Sequence, residues 1–145
     1  MHKIYELGKA SQKFMKEVIF TNLGKENPNV IFGPKTGGDI SIIKIDEEKV
    51  LIVCADPLSI IPSLGMEDSA WLTVHLLASD FTTSGVKPMF AVFSYNLPPH
   101  MDYEDFKKYW FAVSEECKKL EISIVSGHTG KYAGSDFTVV GGGTM

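Results

Sequence analysis

At 145 residues the chain has room for one domain with a substantial core and not for two. Its 44% hydrophobic and 22% charged residues are those of an ordinary globular chain, which excludes a disordered or fibrous one. A formal net charge of -4 argues against nucleic acid or an anionic membrane as partner.

No apolar run is long enough to span a bilayer, and MHKIYELGKA at the N-terminus lacks the hydrophobic centre of a signal peptide, so a cytoplasmic location is expected. The two cysteines, Cys54 and Cys117, lie in apolar runs and read as buried free thiols rather than as a disulfide.

In chain order, Leu7, Phe14, Val18 and Ile19 recur near helical spacing, which predicts an amphipathic helix over Tyr5 to Leu23. Gly24 to Asp39, rich in Gly, Pro, Asn and Lys, reads as a long loop. Ile40 to Ile45 and Val50 to Ala55 are β-branched runs around a polar Asp46–Lys49 turn, a hairpin. Asp56-Pro57 is expected to stop the second strand. Trp71, Val74, Leu77, Ala78 and Phe81 predict a core-facing helix, with Asp68 or Ser69 as its cap and Gly85 as its stop.

Met89 to Leu97 predicts a third strand closed by Pro98-Pro99, followed by a second helix from Tyr103 to Leu120. Ile122 to Val125 and Phe137 to Val140 are the last expected strands, and Gly141-Gly142-Gly143 reads as a flexible boundary. This order predicts an α+β domain, a mixed or antiparallel sheet with helices packed on one face.

Several residues have the chemistry of a site. In Phe32-Gly33-Pro34-Lys35-Thr36-Gly37-Gly38-Asp39, glycines let backbone amides approach a phosphate, and Lys35 adds a point charge. No Gly-Lys-Ser/Thr opens a helix, so this is not a Walker A loop, and taken alone it reads as a flexible turn. Asp39 and Asp56 flank the hairpin at one end, where hard oxygen ligands suit Mg²⁺ with substrate phosphates. An ordinary turn and a solvated strand start explain the same two residues. Asp80, near a helix C-terminus, meets an unfavourable dipole unless a cation offsets it, and it reads equally as a solvent-facing acid. Gly127-His128-Thr129-Gly130 is expected to make a tight, exposed turn after a strand, where ligand contacts are common. His75 reads as structural or exposed.

Together these pieces resemble the N-terminal domain of the AIR synthase-related superfamily, from about Gly33 to Thr144. Gly38-Asp39 precedes an apolar strand, and Ala55-Asp56-Pro57 ends the next. Ser79-Asp80-Phe81 with Gly85-Val86-Lys87-Pro88 matches an Asn-Asp-apolar…Gly-x-x-Pro stretch, with Ser in place of Asn. Ser126-Gly127-His128-Thr129 matches the family's Gly-Gly-Asp/His-Thr/Ser turn, most like the hydrogenase-maturation-like branch.

The resemblance implies binding of ATP with Mg²⁺, and pairing of two such domains into a β-barrel homodimer. By matching position, Asp39, Asp56 and Asp80 become the metal ligands. Lys35, Gly37, Gly38, Gly127, His128 and Thr129 become the nucleotide contacts, and no residue is assigned to catalysis. The family's second, C-terminal domain is absent from these residues. The expected function is therefore a Mg²⁺-ATP-binding domain of an ATP-dependent phosphotransferase or ligase-type enzyme, related to hydrogenase maturation, with an unassigned phosphate acceptor. The alternative is a non-catalytic dimerisation or regulatory module.

Overall fold

The computed structural model describes residues 8–145. Two sheets and two long helices make up most of it. Strands β1 (Val30–Phe32), β2 (Ser41–Lys44) and β3 (Val50–Val53) form an antiparallel three-stranded sheet in that order. Strands β4 (Ala55–Leu58), β5 (Phe90–Leu97), β6 (Ser123–Lys131) and β7 (Gly141–Thr144) form a mixed sheet in the order β4-β7-β5-β6. Within it β5 and β6 run parallel, and β7 runs antiparallel to both β4 and β5.

The two long helices, α2 (Gly65–Thr82) and α3 (Tyr103–Lys119), cover one face of the mixed sheet. Alternation along β5 defines that face: Ala91, Phe93, Tyr95 and Leu97 are buried, whereas Phe90 and Asn96 are exposed on the other. Tyr95 meets Phe106, Tyr109 and Trp110 of α3 edge to face at centroid distances of 5.2, 5.8 and 6.1 Å. Buried Thr73 of α2 and Tyr109 of α3 join hydroxyls at 2.7 Å. The expected α+β class, with helices on one face, holds for this sheet, and Cys54 and Cys117 are buried free thiols.

The hairpin, the Met89–Leu97 strand and the Tyr103–Leu120 helix form as expected, within a residue or two at each end. Asp102 caps α3, its side chain accepting from the Glu104 N–H at 2.6 Å. Gly85, at φ +79°, ends the α2 segment with its N–H on the Thr82 carbonyl at 2.9 Å.

Elsewhere tertiary pairing overrides the local reading. The Gly24–Asp39 loop contains β1, recruited by β2 through the pairs Val30–Ile43 and Phe32–Ile42. Asp56-Pro57 does not stop a strand but lies within β4, at the sheet edge where a missing N–H is tolerated. Gly127-His128-Thr129-Gly130 is no turn; it continues β6 beside Phe93–Asn96 of β5. The last strand is the triglycine segment, not Phe137–Val140.

Gly143 has a physical reason to be there. A Cβ at that position would stand 2.8 Å from Leu77, 3.0 Å from Leu58 and 3.2 Å from Phe93. At this position only glycine lets β7 lie between β4 and β5 under α2.

The first helix is shorter than expected. Gln12–Phe14 forms α1, and the turn widens over Met15–Ile19, where the Phe20 N–H bonds the Met15 carbonyl at 2.8 Å. Tyr5 and Leu7 lie outside the described residues, and Phe14, Val18 and Ile19 are exposed rather than docked on the core. Neither Asp68 nor Ser69 caps α2, which starts after Leu64 with no side-chain cap. Ser69 instead accepts from the Ile61 N–H at 2.9 Å. Trp71 is 48% exposed rather than in the core.

Candidate functional site

The edge strand β4 places Asp56 opposite Gly143, so its side chain leaves the sheet on the face that α2 covers. Leu58, two residues on, lies on that same face in the core. Asp80, in the last turn of α2, reaches the same junction, where its carboxyl acts on that of Asp56. Two carboxylates this near each other disfavour the charged form of the more buried one. Accordingly the Asp56 carboxyl is pushed up from an ordinary 3.8 to about 6. Burial is the largest cause, followed by the neighbouring Asp80 carboxyl; Lys9 opposes the rise and Asp39 adds to it.

Apart from Lys9, the charges that act on Asp56 are acidic. The last turn of α2 contains no basic residue, and its C-terminal carbonyls add partial negative charge. The carbonyl of Asp80 is taken up by the Thr83 N–H and hydroxyl, at 3.2 and 2.7 Å. Neighbouring Cys54 has its thiol pushed up by burial, and by Asp56 and Asp80, so it is no nucleophile. Asp56 and Asp80 are thus a donor pair that gains most from a hard cation. Such a pair fits Mg²⁺, which takes one or two carboxylates and leaves its other positions to water and phosphate.

Asp39 acts on Asp56 through space, without a hydrogen bond. Among the described residues no three His, Cys, Asp or Glu side chains stand close enough to enclose a metal ion. The three aspartates converge electrostatically, Asp80 acting on Asp56 more strongly than Asp39 does. Asp39 lines a groove of about 210 Å³ with Pro34, Gly38, Ser41 and Cys54.

Just before it, the Gly33–Gly38 loop folds onto β1. The Gly38 N–H bonds the Lys35 carbonyl at 3.1 Å. The ammonium of Lys35 sits 3.8 Å above the Phe32 ring.

Gly127, His128 and Thr129 lie on the opposite edge of the mixed sheet. Asp56, Gly143, Phe93 and Gly127 occupy one row across the four strands. Three strand spacings put Gly127 roughly 14 Å from Asp56. The three residues line a second groove, of about 390 Å³, floored by Phe93 and Trp110. His128 Nε2 lies 2.7 Å from the Tyr132 hydroxyl, a partner the sequence reading missed. Its signal was the even spacing 128, 130, 132 with glycine in the middle.

His75 has a structural place. It stacks on Trp71 at 4.3 Å and bonds Glu116 of α3 at 3.1 Å. Lys119 and then His75 hold the Glu116 carboxyl below its usual range.

A helix-covered mixed sheet, with an acid pair where an edge strand meets a helix end and a Gly-His-Thr stretch on the far edge, defines an α+β domain. The chain belongs to the AIR synthase related protein family, whose N-terminal-domain profile matches residues 37–145. It is similar to a putative hydrogenase expression/formation protein of Methanocaldococcus jannaschii, with 29% identity over 134 residues, 92% of this chain and 40% of that protein. It is also similar to thiamine-monophosphate kinase of Nitrosopumilus maritimus, with 28% identity over 101 residues, 67% of this chain and 32% of that one.

Among solved structures, ThiL in complex with AMPPCP and TMP superposes with a TM-score of 0.70 at 18% identity, covering 96% of this chain and 43% of that one. Hydrogenase maturation protein HypE in complex with ATP superposes at 0.59 with 17% identity, covering 94% and 39%. At such identities the likeness is one of fold. The chain spans 40% or less of the length of these two curated relatives. No helix of the described residues is long and apolar enough to cross a membrane.

Proposed function

We propose that these residues form the Mg²⁺-ATP-binding domain of an AIR synthase-like phosphotransferase or ligase-type enzyme, cytoplasmic and related to hydrogenase maturation. The observation that carries this reading is the Asp56–Asp80 pair, two carboxyls held together at an acidic helix end. Two acids held beside each other at a helix C-terminus make an arrangement that a divalent cation relieves. Asp56 and Asp80 would hold the ion, with Asp39 joining as the third carboxylate when phosphate brings the groups together. The ion would supply charge neutralisation at the phosphates. Lys35, Gly37 and Gly38 offer a charge and amides to one part of the nucleotide; Gly127, His128 and Thr129 offer contacts to another. Support from relatives is that HypE is known in complex with ATP and ThiL with AMPPCP.

A homodimer through the uncovered sheet face fits this reading. Leu51, Met89 and Phe90 are 48%, 62% and 56% exposed there and beside it. Closing two such faces into a barrel would bury them. That same face supports the second reading, a dimerisation or regulatory module without turnover.

Isothermal titration of ATP with Mg²⁺ tests the first reading. Binding by the wild type that is lost in Asp56→Ala and Asp80→Ala is expected; no heat, or heat unchanged in both variants, overturns it. Light scattering tests the dimer, and a strict monomer at all concentrations removes the barrel from both readings.

A further inference from the structure

β1 ends in Phe32, which pairs with Ile42 of β2, and the glycine-rich loop that follows is folded around its ring. The Gly38 N–H bonds the Lys35 carbonyl at 3.1 Å, so Lys35 to Gly38 is a turn that sends the chain back toward β2. The ring stands against the glycine. A Cβ on Gly38 would lie 2.8 Å from Phe32 Cε1 and 3.0 Å from its Cζ. The stem of Lys35 runs past the same place, its Cγ 3.5 Å from that Cβ position. Its ammonium ends 3.8 Å over the centre of the Phe32 ring.

Asp39 comes next after Gly38 and lines the groove it shares with Pro34 and Cys54. The turn therefore leaves the Asp39 carboxylate within reach of the flexible four-carbon stem of Lys35. Charge alone favours that contact, because Asp39 adds to the acidic charge around Asp56. The ammonium does not make it. Among the described residues Lys35 forms no ion pair. The cation that acts on Asp56 is Lys9, not Lys35. A half-buried aromatic face takes the Lys35 ammonium instead.

We propose that Phe32 is a positioning residue, whose ring holds the Lys35 ammonium away from Asp39 and so keeps that carboxylate open to a divalent cation. An ammonium and a metal ion compete for the same carboxylate oxygens, and whatever holds the ammonium elsewhere favours the metal. This rests on the proposed Mg²⁺-ATP reading and adds what stops a neighbouring lysine from taking the ion's place.

The test combines proton spectra with Mg²⁺-ATP titrations. Phe32→Leu removes the ring and keeps an apolar side chain at the end of β1, whereas Phe32→Tyr keeps the ring. The ring current should shift the Lys35 ε-methylene upfield in wild type and Phe32→Tyr, and not in Phe32→Leu. Affinity for Mg²⁺-ATP should fall about threefold in Phe32→Leu, the size of one exposed ion pair that the bound ion must displace. Phe32→Tyr should restore it. Asp39→Asn removes the carboxylate that Lys35 would take, so in that background Phe32→Leu should cost nothing further.

An unshifted Lys35 in wild type overturns the proposal. So does an equal loss from Phe32→Leu in both backgrounds, which would mark a loosened loop instead of a competing ammonium. A wild type that binds no Mg²⁺-ATP overturns the functional reading and this proposal with it. Equal binding by wild type and Phe32→Leu overturns this proposal alone.

Discussion

Asp56 on the edge strand β4 lies beside Asp80 in the last turn of α2, and burial together with that acidic neighbour raises the Asp56 carboxyl, so that its proton makes folding sensitive to pH. The folded protein holds it to about pH 6, whereas an unfolded Asp56 releases it near 3.8. A raised folded value means stability that is fully present below the unfolded value and is lost as pH rises through the folded one.

Without metal, the stability of the wild type should therefore fall between about pH 4 and about pH 7 more than that of Asp56→Asn. One pKa unit corresponds to about 1.4 kcal/mol, and water reaching the carboxyl brings the difference to the order of 1 kcal/mol. Urea unfolding with chelator across this range measures it. Identical slopes for both proteins would remove the raised Asp56 carboxyl from the account.

Magnesium replaces that proton in the proposed site. At pH above about 7, Mg²⁺ alone should raise the thermal midpoint of wild type through binding to the folded state. Asp80→Asn should lose the response. Asp39→Asn should keep the response to Mg²⁺ alone and lose part of the added response to Mg²⁺ with ATP. Calorimetric melts with and without each ligand distinguish these outcomes; a wild type indifferent to Mg²⁺ contradicts the site.

The glycines of β7 are unequal. Gly143→Ala drives a methyl into Leu77, Leu58 and Phe93 and should cost about 1–3 kcal/mol, the usual range for overpacking. The nearest atom to a Cβ on Gly142 is the Asp56 carbonyl oxygen at 3.8 Å, so Gly142→Ala should be close to neutral. Equal losses in the two variants, measured by chemical denaturation, would contradict the placement of β7 under α2.

The two core tyrosines offer another contrast. Tyr109 shares its hydroxyl with Thr73, so Tyr109→Phe should destabilise by about 1–2 kcal/mol. The Tyr95 hydroxyl is buried near that of Tyr109 but makes no hydrogen bond of good geometry, and burial pushes its pKa upward. Removing it in Tyr95→Phe should be neutral or stabilising. A larger loss from Tyr95→Phe than from Tyr109→Phe would reverse that assignment.

Local pattern by itself determined much of the scaffold. The β-branched pair around Asp46–Lys49, the alternating Met89–Leu97 run and the 3.6-residue spacing from Tyr103 to Leu120 each specify an element through side-chain burial, which is local in origin. The motif order also determined the family, and with it the interest of Asp56 and Asp80.

Tertiary structure decided which segments pair. Gly127–Lys131 and Gly141–Thr144 have little strand propensity of their own, and Val30–Phe32 is a β-forming triplet inside a Gly-, Pro- and Asn-rich segment; each becomes a strand because a neighbour supplies hydrogen bonds or because only glycine fits. The same long-range pairing set the site. It brought Asp56 onto Asp80, held Asp39 at a distance, and put His128 three strands away beside Tyr132. Spacing along a chain reports which face a side chain takes; distance across a sheet depends on strand order, which no local signal encodes.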